Sequence, residues 1–275
     1  MNTKLKLTLI ALVSIASIST IGLTLIHTSK DSIHTNEVYY ASPTTSQSEA
    51  LSSEATVSDE TSIDEASIDK DYYSSQCQTV IKQYFDIDIS TEAYNIEVTL
   101  IDKDFIDKKY QKNKEDLQHQ VDNNEISQED MDSILEAYEW NYNDSLTQLD
   151  AFGTPYIQCR VDPKSHEHPA YSVDFRADNQ KLILIFLHGL SNSIDNIPTA
   201  TEQEITQIGM DFIKAHQLEG IQTPKLEYIS MGTNPFVYFT DENDPSKRAG
   251  LLVNPTSQKV FAFYLEVYLD FMMNH

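Results

Sequence analysis

The chain has 275 residues, with 43 acidic against 19 basic side chains and a formal net charge of −24. Nucleic acid is bound by displacing its counterions with Lys and Arg, and an anionic membrane surface repels an acidic chain. Both partner classes are therefore disfavoured, and the acidity reads first as solubility. The length suits one or two domains.

The first residues carry Lys4 and Lys6, then an uncharged 20-residue run from Leu7 to Ile26. That is about the helical length that crosses a bilayer core. A cleaved signal has a shorter apolar region and a small-x-small cleavage site, and "VYYAS" at 38–42 fits that pattern poorly. Residues 1–29 are expected to anchor the chain in a membrane with its C-terminal part outside, by the position of the lysines. Secretion after signal cleavage is the alternative. Residues 30–73 are rich in Ser, Thr, Asp and Glu. They lack periodic apolar residues that would offset chain entropy, and are read as a disordered acidic linker.

From Ser74 the pattern becomes that of a folded unit. Cys77, Val80, Ile81, Tyr84 and Phe85 recur at helical spacing. "NIEVTLID" at 95–102 alternates as a strand does. Residues 104–150 read as a helical hairpin. Phe105, Tyr110, Leu117 and Val121 mark the first arm, and Asn123-Asn124 breaks it. Ser127 and Asp130 then open a second arm as a capping box. Strands are predicted near 155–161, 170–177 and 181–188. A helix over 201–217 opens on Thr201 and Glu204, a second capping box. Strands follow near 225–231, 236–240, 248–254 and 258–268.

The two halves repeat one order of elements. "FRADNQKLILIFL" (175–187) lies over "VNPTSQKVFAFYL" (253–265) at an offset of 78 (253 minus 175). "PYIQC" matches "PFVYF" at offset 80, "NIEVTLID" matches "KLEYISMG" at 130, and "TVIKQYF" matches "DFIKAHQ" at 132. The first unit then spans 74–190 with the hairpin inserted, and the second spans 201–275. A helix followed by an antiparallel meander gives an α+β fold of tandem helix-plus-sheet units. Val173, Phe175, Ile183, Ile185 and Leu187 share one face. Leu182, Leu184 and Phe186 on the other face also need a cover, expected from the hairpin or the second unit. Ala262, Tyr264, Glu266 and Tyr268 look half-exposed.

A helix followed by a sheet ending in "RAGLLVNPTSQKVFAF" resembles the PepSY and PepSY-like domains of bacterial envelope proteins. Their strand turn has the form Asp/Asn-x-x-Thr-Gly-Lys-Val. Asn254, Thr256, Lys259 and Val260 match it, with Gln258 in place of Gly. Asp178 and Lys181 match it in the first unit, with Gln180 in place of Gly. The resemblance implies a non-catalytic extracytoplasmic module that restrains peptidases or mediates envelope interactions. It transfers no catalytic residue and no cofactor.

Other constellations were weighed on their chemistry. "KLILIFLHGLSNS" at 181–193 resembles the start of a hydrolase oxyanion loop, but the nucleophile elbow Gly-x-Ser-x-Gly is missing. His166 and His168 fall short of a metal ligand set, and "DENDPS" at 241–246 lacks the Gly and distal Glu of a calcium loop. Cys77 and Cys159 point into the same helix–sheet layer and are a disulfide candidate, with two buried free thiols as the other reading. Tyr264, Tyr268 and Phe271 are candidates for a protein-contact surface, with core packing as the other reading. The expectation is a non-catalytic, membrane-anchored extracytoplasmic binding or regulatory protein acting on an envelope protein or peptide. The alternatives are a self-associating structural envelope component and a hydrolase of unrecognised type.

Overall fold

The computed structural model describes residues 65–165, 169–188 and 200–274. The expected anchor (1–29), the linker up to residue 64, His166, His168 and the stretch 189–193 lie outside the described residues. No helix among the described residues is long and apolar enough to cross a membrane.

Helix α1 (Lys70–Phe85) starts four residues before its expected position. Asp69 caps it by accepting from the Tyr72 N–H at 2.9 Å, and Tyr73 packs on Phe175 at 5.6 Å between ring centroids. A 3-10 turn at Glu65–Ser67 precedes this cap. Strand β1 (Tyr94–Ile101) leads into the hairpin of α2 (Lys103–Asp122) and α3 (Gln128–Phe152). The Ser127–Asp130 capping box forms, and Gly153 ends α3 in the left-handed conformation (φ 64). Strands β2 (Tyr156–Pro163), β3 (Tyr171–Arg176) and β4 (Leu182–Leu187) complete the first unit. In the second, α4 (Glu202–His216) opens on the Thr201–Glu204 capping box. Strands β5 (Pro224–Ser230), β6 (Phe236–Asp241), β7 (Arg248–Asn254) and β8 (Lys259–Tyr264) follow.

The two meanders join edge to edge into one eight-stranded antiparallel sheet, in the order β1-β2-β3-β4-β8-β7-β6-β5. The seam between β4 and β8 pairs Leu184 with Tyr264, Ile185 with Phe263, and Phe186 with Ala262. At the offset of 78, each residue of a pair is the counterpart of a residue in the mirror pair, and Ile185 faces its own counterpart. This is the self-complementary pattern of a two-fold interface, inside one chain. Tyr84 and His216, counterparts at offset 132, also touch, at 5.6 Å between rings. An approximate two-fold axis therefore runs through the seam and between the C-terminal ends of α1 and α4.

Finer details recur across that axis. A β-bulge at Asp174/Phe175 recurs at Leu252/Val253, while the one at Leu226/Tyr228 belongs to the second unit alone. Gln180 (φ 61) and Gln258 (φ 55) both occupy the left-handed region that Gly favours. The buried helix residues are Tyr73, Cys77 and Ile81 in α1, and Ile205, Gly209 and Ile213 in α4. The helices cover one sheet face, where Phe263 lies under Tyr84, Phe85 and Phe212. Each large apolar side chain buried there contributes about 1.5–3 kcal/mol.

The last strand is shorter than expected. It stops at Tyr264, and Glu266 (φ 45) turns the chain into helix α5 (Glu266–Asn274). This helix folds back over the second sheet face and covers β4 and β7. Gly250 makes the close approach possible, since a Cβ there would lie 2.7 Å from Leu269 Cδ1 and from the Phe236 ring. The cover over Leu184 and Phe186 is thus α5, joined by the end of α3, whose Phe152 meets Tyr268 at 5.2 Å. Tyr264, Tyr268 and Phe271 are 1%, 3% and 3% exposed. They pack inside the chain rather than forming a surface, because α5 turns its rings onto the sheet and onto Phe152 at the end of α3. Ala262, expected on a half-exposed face, is buried for the same reason.

The hairpin carries its own small core, with Leu117, Met131 and Ile134 buried together apart from the main core. Nearer its base the Tyr110 and Tyr142 rings meet at 4.6 Å between centroids, tilted by 31°. The Tyr142 hydroxyl donates to Asp107 at 2.7 Å and the Tyr110 hydroxyl to Glu139 at 3.1 Å.

Candidate functional site

Three segments distant in sequence converge beside the seam. The turn before β4 supplies Lys181, the turn after α4 supplies Glu219, and the start of β7 with the first turns of α5 supplies Lys247, Arg248, Glu266 and Asp270. Together they line a cleft of about 410 Å³ to which both units contribute. Two of its carboxylates sit on strained backbone. Glu219 has φ 53 and Glu266 φ 45, in the region that costs an L-residue about 1–2 kcal/mol. Gly220, at φ 68, follows Glu219, and a Cβ there would lie 3.9 Å from the Lys247 side chain.

The charges in the cleft are unequally satisfied. Lys181 Nζ donates to Glu266 Oε1 at 2.6 Å, and Arg248 Nη2 donates to Asp270 Oδ2 at 2.6 Å. Glu219 makes no ion pair among the described residues. Burial holds its carboxyl above the usual range, and the nearby Glu266 charge pushes the same way, while Lys181 opposes both. A partly desolvated carboxylate beside a second carboxylate gains from a cation placed between them. The cleft is sized for one side chain or a short peptide segment. Ser246, the one hydroxyl-bearing residue lining it, donates to Asp244 Oδ1 at 2.6 Å. Three carboxylates, Glu219, Glu266 and Asp270, and three cationic side chains, Lys181, Lys247 and Arg248, line it.

A second polar cluster lies on the first unit. Ser172 Oγ and His188 Nε2 are 2.8 Å apart. His188, at the place matched by Glu266, is half-buried. Burial, with Arg160 nearby, lowers its pKa to about 4, against a smaller upward pull from Asp162. Such an imidazole is neutral at pH 7 and a poor proton acceptor, which is unfavourable for activating Ser172. Beneath α5, Asp174 is wholly buried with Oδ2 unpartnered, and Gln158 Nε2 donates to its other oxygen at 3.4 Å.

Cys77 and Cys159 are both buried and are free thiols in this structure. They do come together, between α1 and β2. In the segment 241–246, the Asp241 carboxylate is taken up by backbone amides. Its Oδ2 accepts from the amides of Gln222 and Thr223 and its Oδ1 from those of Asn243 and Asp244, which holds its pKa down at about 2. Sequence reasoning missed Lys181, Glu219, Arg248 and Asp270 as a group, since only the seam and the α5 reversal bring them together. Asp174 did leave a signal, as an acid in an apolar strand whose counterpart is Leu252.

No family model matches the chain, and no curated protein matches it. Among solved structures, the Bacillus megaterium YpeB C-terminal domain is similar, with a TM-score of 0.40 and 9% sequence identity. The match covers 73% of this chain and 65% of that one.

Proposed function

We propose that this chain is a non-catalytic extracytoplasmic binding or regulatory protein, and that its inter-unit cleft holds a basic group of an envelope protein or peptide. The observation that carries the reading is Glu219, which lines the cleft on left-handed backbone and without an ion pair among the described residues. Strained backbone persists where the surroundings over-determine it, and such positions cluster at ligand sites. The PepSY-like turns at Asp178–Lys181 and Asn254–Val260 favour a module of the envelope. The apolar run Leu7–Ile26 favours a membrane anchor, with the acidic linker giving reach.

An array of lysine- and arginine-containing peptides, with acetyl-lysine counterparts, tests the cleft. The full chain is expected to retain a subset of the basic peptides, to lose them on Glu219→Gln, and to ignore the acetylated forms. Equal retention by both proteins sinks the reading.

A second reading, self-association through the hairpin, is favoured by Trp140, 45% exposed on α3. Sedimentation of the full chain and of a chain lacking 104–150 separates the two. A monomer in both removes self-association.

A further inference from the structure

Cys77 and Cys159 are both 0% exposed. The Cys159 thiol lies 3.6 Å from the Tyr73 carbonyl oxygen, one helical turn before Cys77. The strand sulfur therefore sits directly under the turn of α1 that carries the other cysteine. The two side chains interact. The hydrogen bond with Cys77, then burial, holds the Cys159 thiol far above its ordinary range.

The second unit shows what this position demands. Gly209 takes the place of Cys77 and Phe239 the place of Cys159. A Cβ on Gly209 would lie 2.7 Å from the Phe239 ring. In this architecture the helix residue and the strand residue compete for one volume. The second unit fills it with a ring and no side chain above it. The first fills it with two sulfurs.

We infer that Cys77 and Cys159 are joined by a disulfide in the working protein, fixing α1 to β2. The bond would close a loop that contains β1 and the whole hairpin, so the inserted arm is tied at its base. Two thiols lose two protons and two electrons as one S–S bond forms. The electrons pass to the disulfide of a thiol oxidoreductase or of a small disulfide such as oxidised glutathione, which leaves as two thiols. With both sulfurs buried, the exchange takes place during folding. The inference rests on the extracytoplasmic reading, because the cytosol keeps thiols reduced.

The test has two arms on the full chain. In the first, unfolded reduced chain is refolded with oxidised glutathione, then denatured with N-ethylmaleimide and weighed. No adduct is expected without reductant and two after it, with a proteolytic fragment linking the two cysteines. Two adducts without reductant overturn the inference whatever the compartment. In the second arm, chain from its native cells is trapped and weighed in the same way, and protease is applied to intact cells. Cleavage with no adduct supports the inference. Cleavage with two adducts overturns it while the compartment reading stands. Protection with two adducts overturns both. The refolded, oxidised chain should melt roughly 10 °C above the reduced one, and a Cys77→Ser/Cys159→Ser chain should show no such difference.

Discussion

The two units share a capped helix, a meander with matched bulges and a turn through a left-handed Gln, yet they differ in what fills the spaces between. Under the helix, the first unit has Cys77 against Cys159 and the second has Gly209 against Phe239. On the opposite face, Asp174 stands where the second unit has Leu252. Between the first two strands, one unit has a long hairpin and the other a short turn. The backbone plan evidently does not require any one of these fillings. Caps and turn geometry hold it, while both cysteines and the wholly buried Asp174 lie in the first unit.

The largest expected effect comes from making the two units alike at Asp174. Burial raises its pKa to about 7 from 3.8, with Gln158 pulling weakly the other way. The folded chain therefore holds the proton more tightly than the unfolded chain. Stability from this group is fully present below about pH 4 and is lost as pH rises through about 7, in all roughly 4 kcal/mol. Asp174→Leu should remove that share of the pH dependence and be the more stable form at pH 8. Urea melts of both proteins at pH 4 and pH 8 measure it, and an unchanged difference between the two pH values breaks the comparison at this position.

Leu269→Ala should cost about 3 kcal/mol, since Leu269 fills the space that Gly250 leaves open. Helix α5 covers strands of both units, so one cooperative denaturation curve should shift as a whole. A curve that splits in two would show the units to be independent. Gly209→Val should cost about 2 kcal/mol by overpacking against Phe239. Cys77→Ala, at the matching place, should cost about 1 kcal/mol under reducing conditions by leaving a small void. Gln180→Gly and Gln258→Gly should each stabilise by less than about 1 kcal/mol, because relief of left-handed strain exceeds the added chain entropy. Equal thermal shifts for the two would sharpen the equivalence of the turns.

Most of the local structure was legible in the sequence, because its causes are local. Ser127 with Asp130 and Thr201 with Glu204 announce their helices. Asn123-Asn124 announces the hairpin turn, and alternation marks the strands. The repeat offsets also placed Gln180 and Gln258 at equivalent turns. What escaped depends on contacts between distant segments. "YLEVYLDFMM" alternates well enough to read as strand, and only the fit of Leu269 over Gly250 makes a helix the better choice. The joining of two meanders into one sheet needs β4 to find β8, a pairing that no short window contains. The cleft was hidden for the same reason. Lys181, Glu219 and Glu266 carry no common motif and meet only after the seam has closed and α5 has reversed.

The self-complementary seam has a consequence for handling the protein. Leu184, Ile185 and Phe186 recognise Tyr264, Phe263 and Ala262 equally well whether the second unit comes from the same chain or from another. Closing the seam within one chain is favoured only by the high local concentration that residues 188–200 impose. Refolding from concentrated stock should therefore yield exchanged dimers, in which each first unit is completed by its neighbour's second unit. Dilution before refolding is the simple route to monomer.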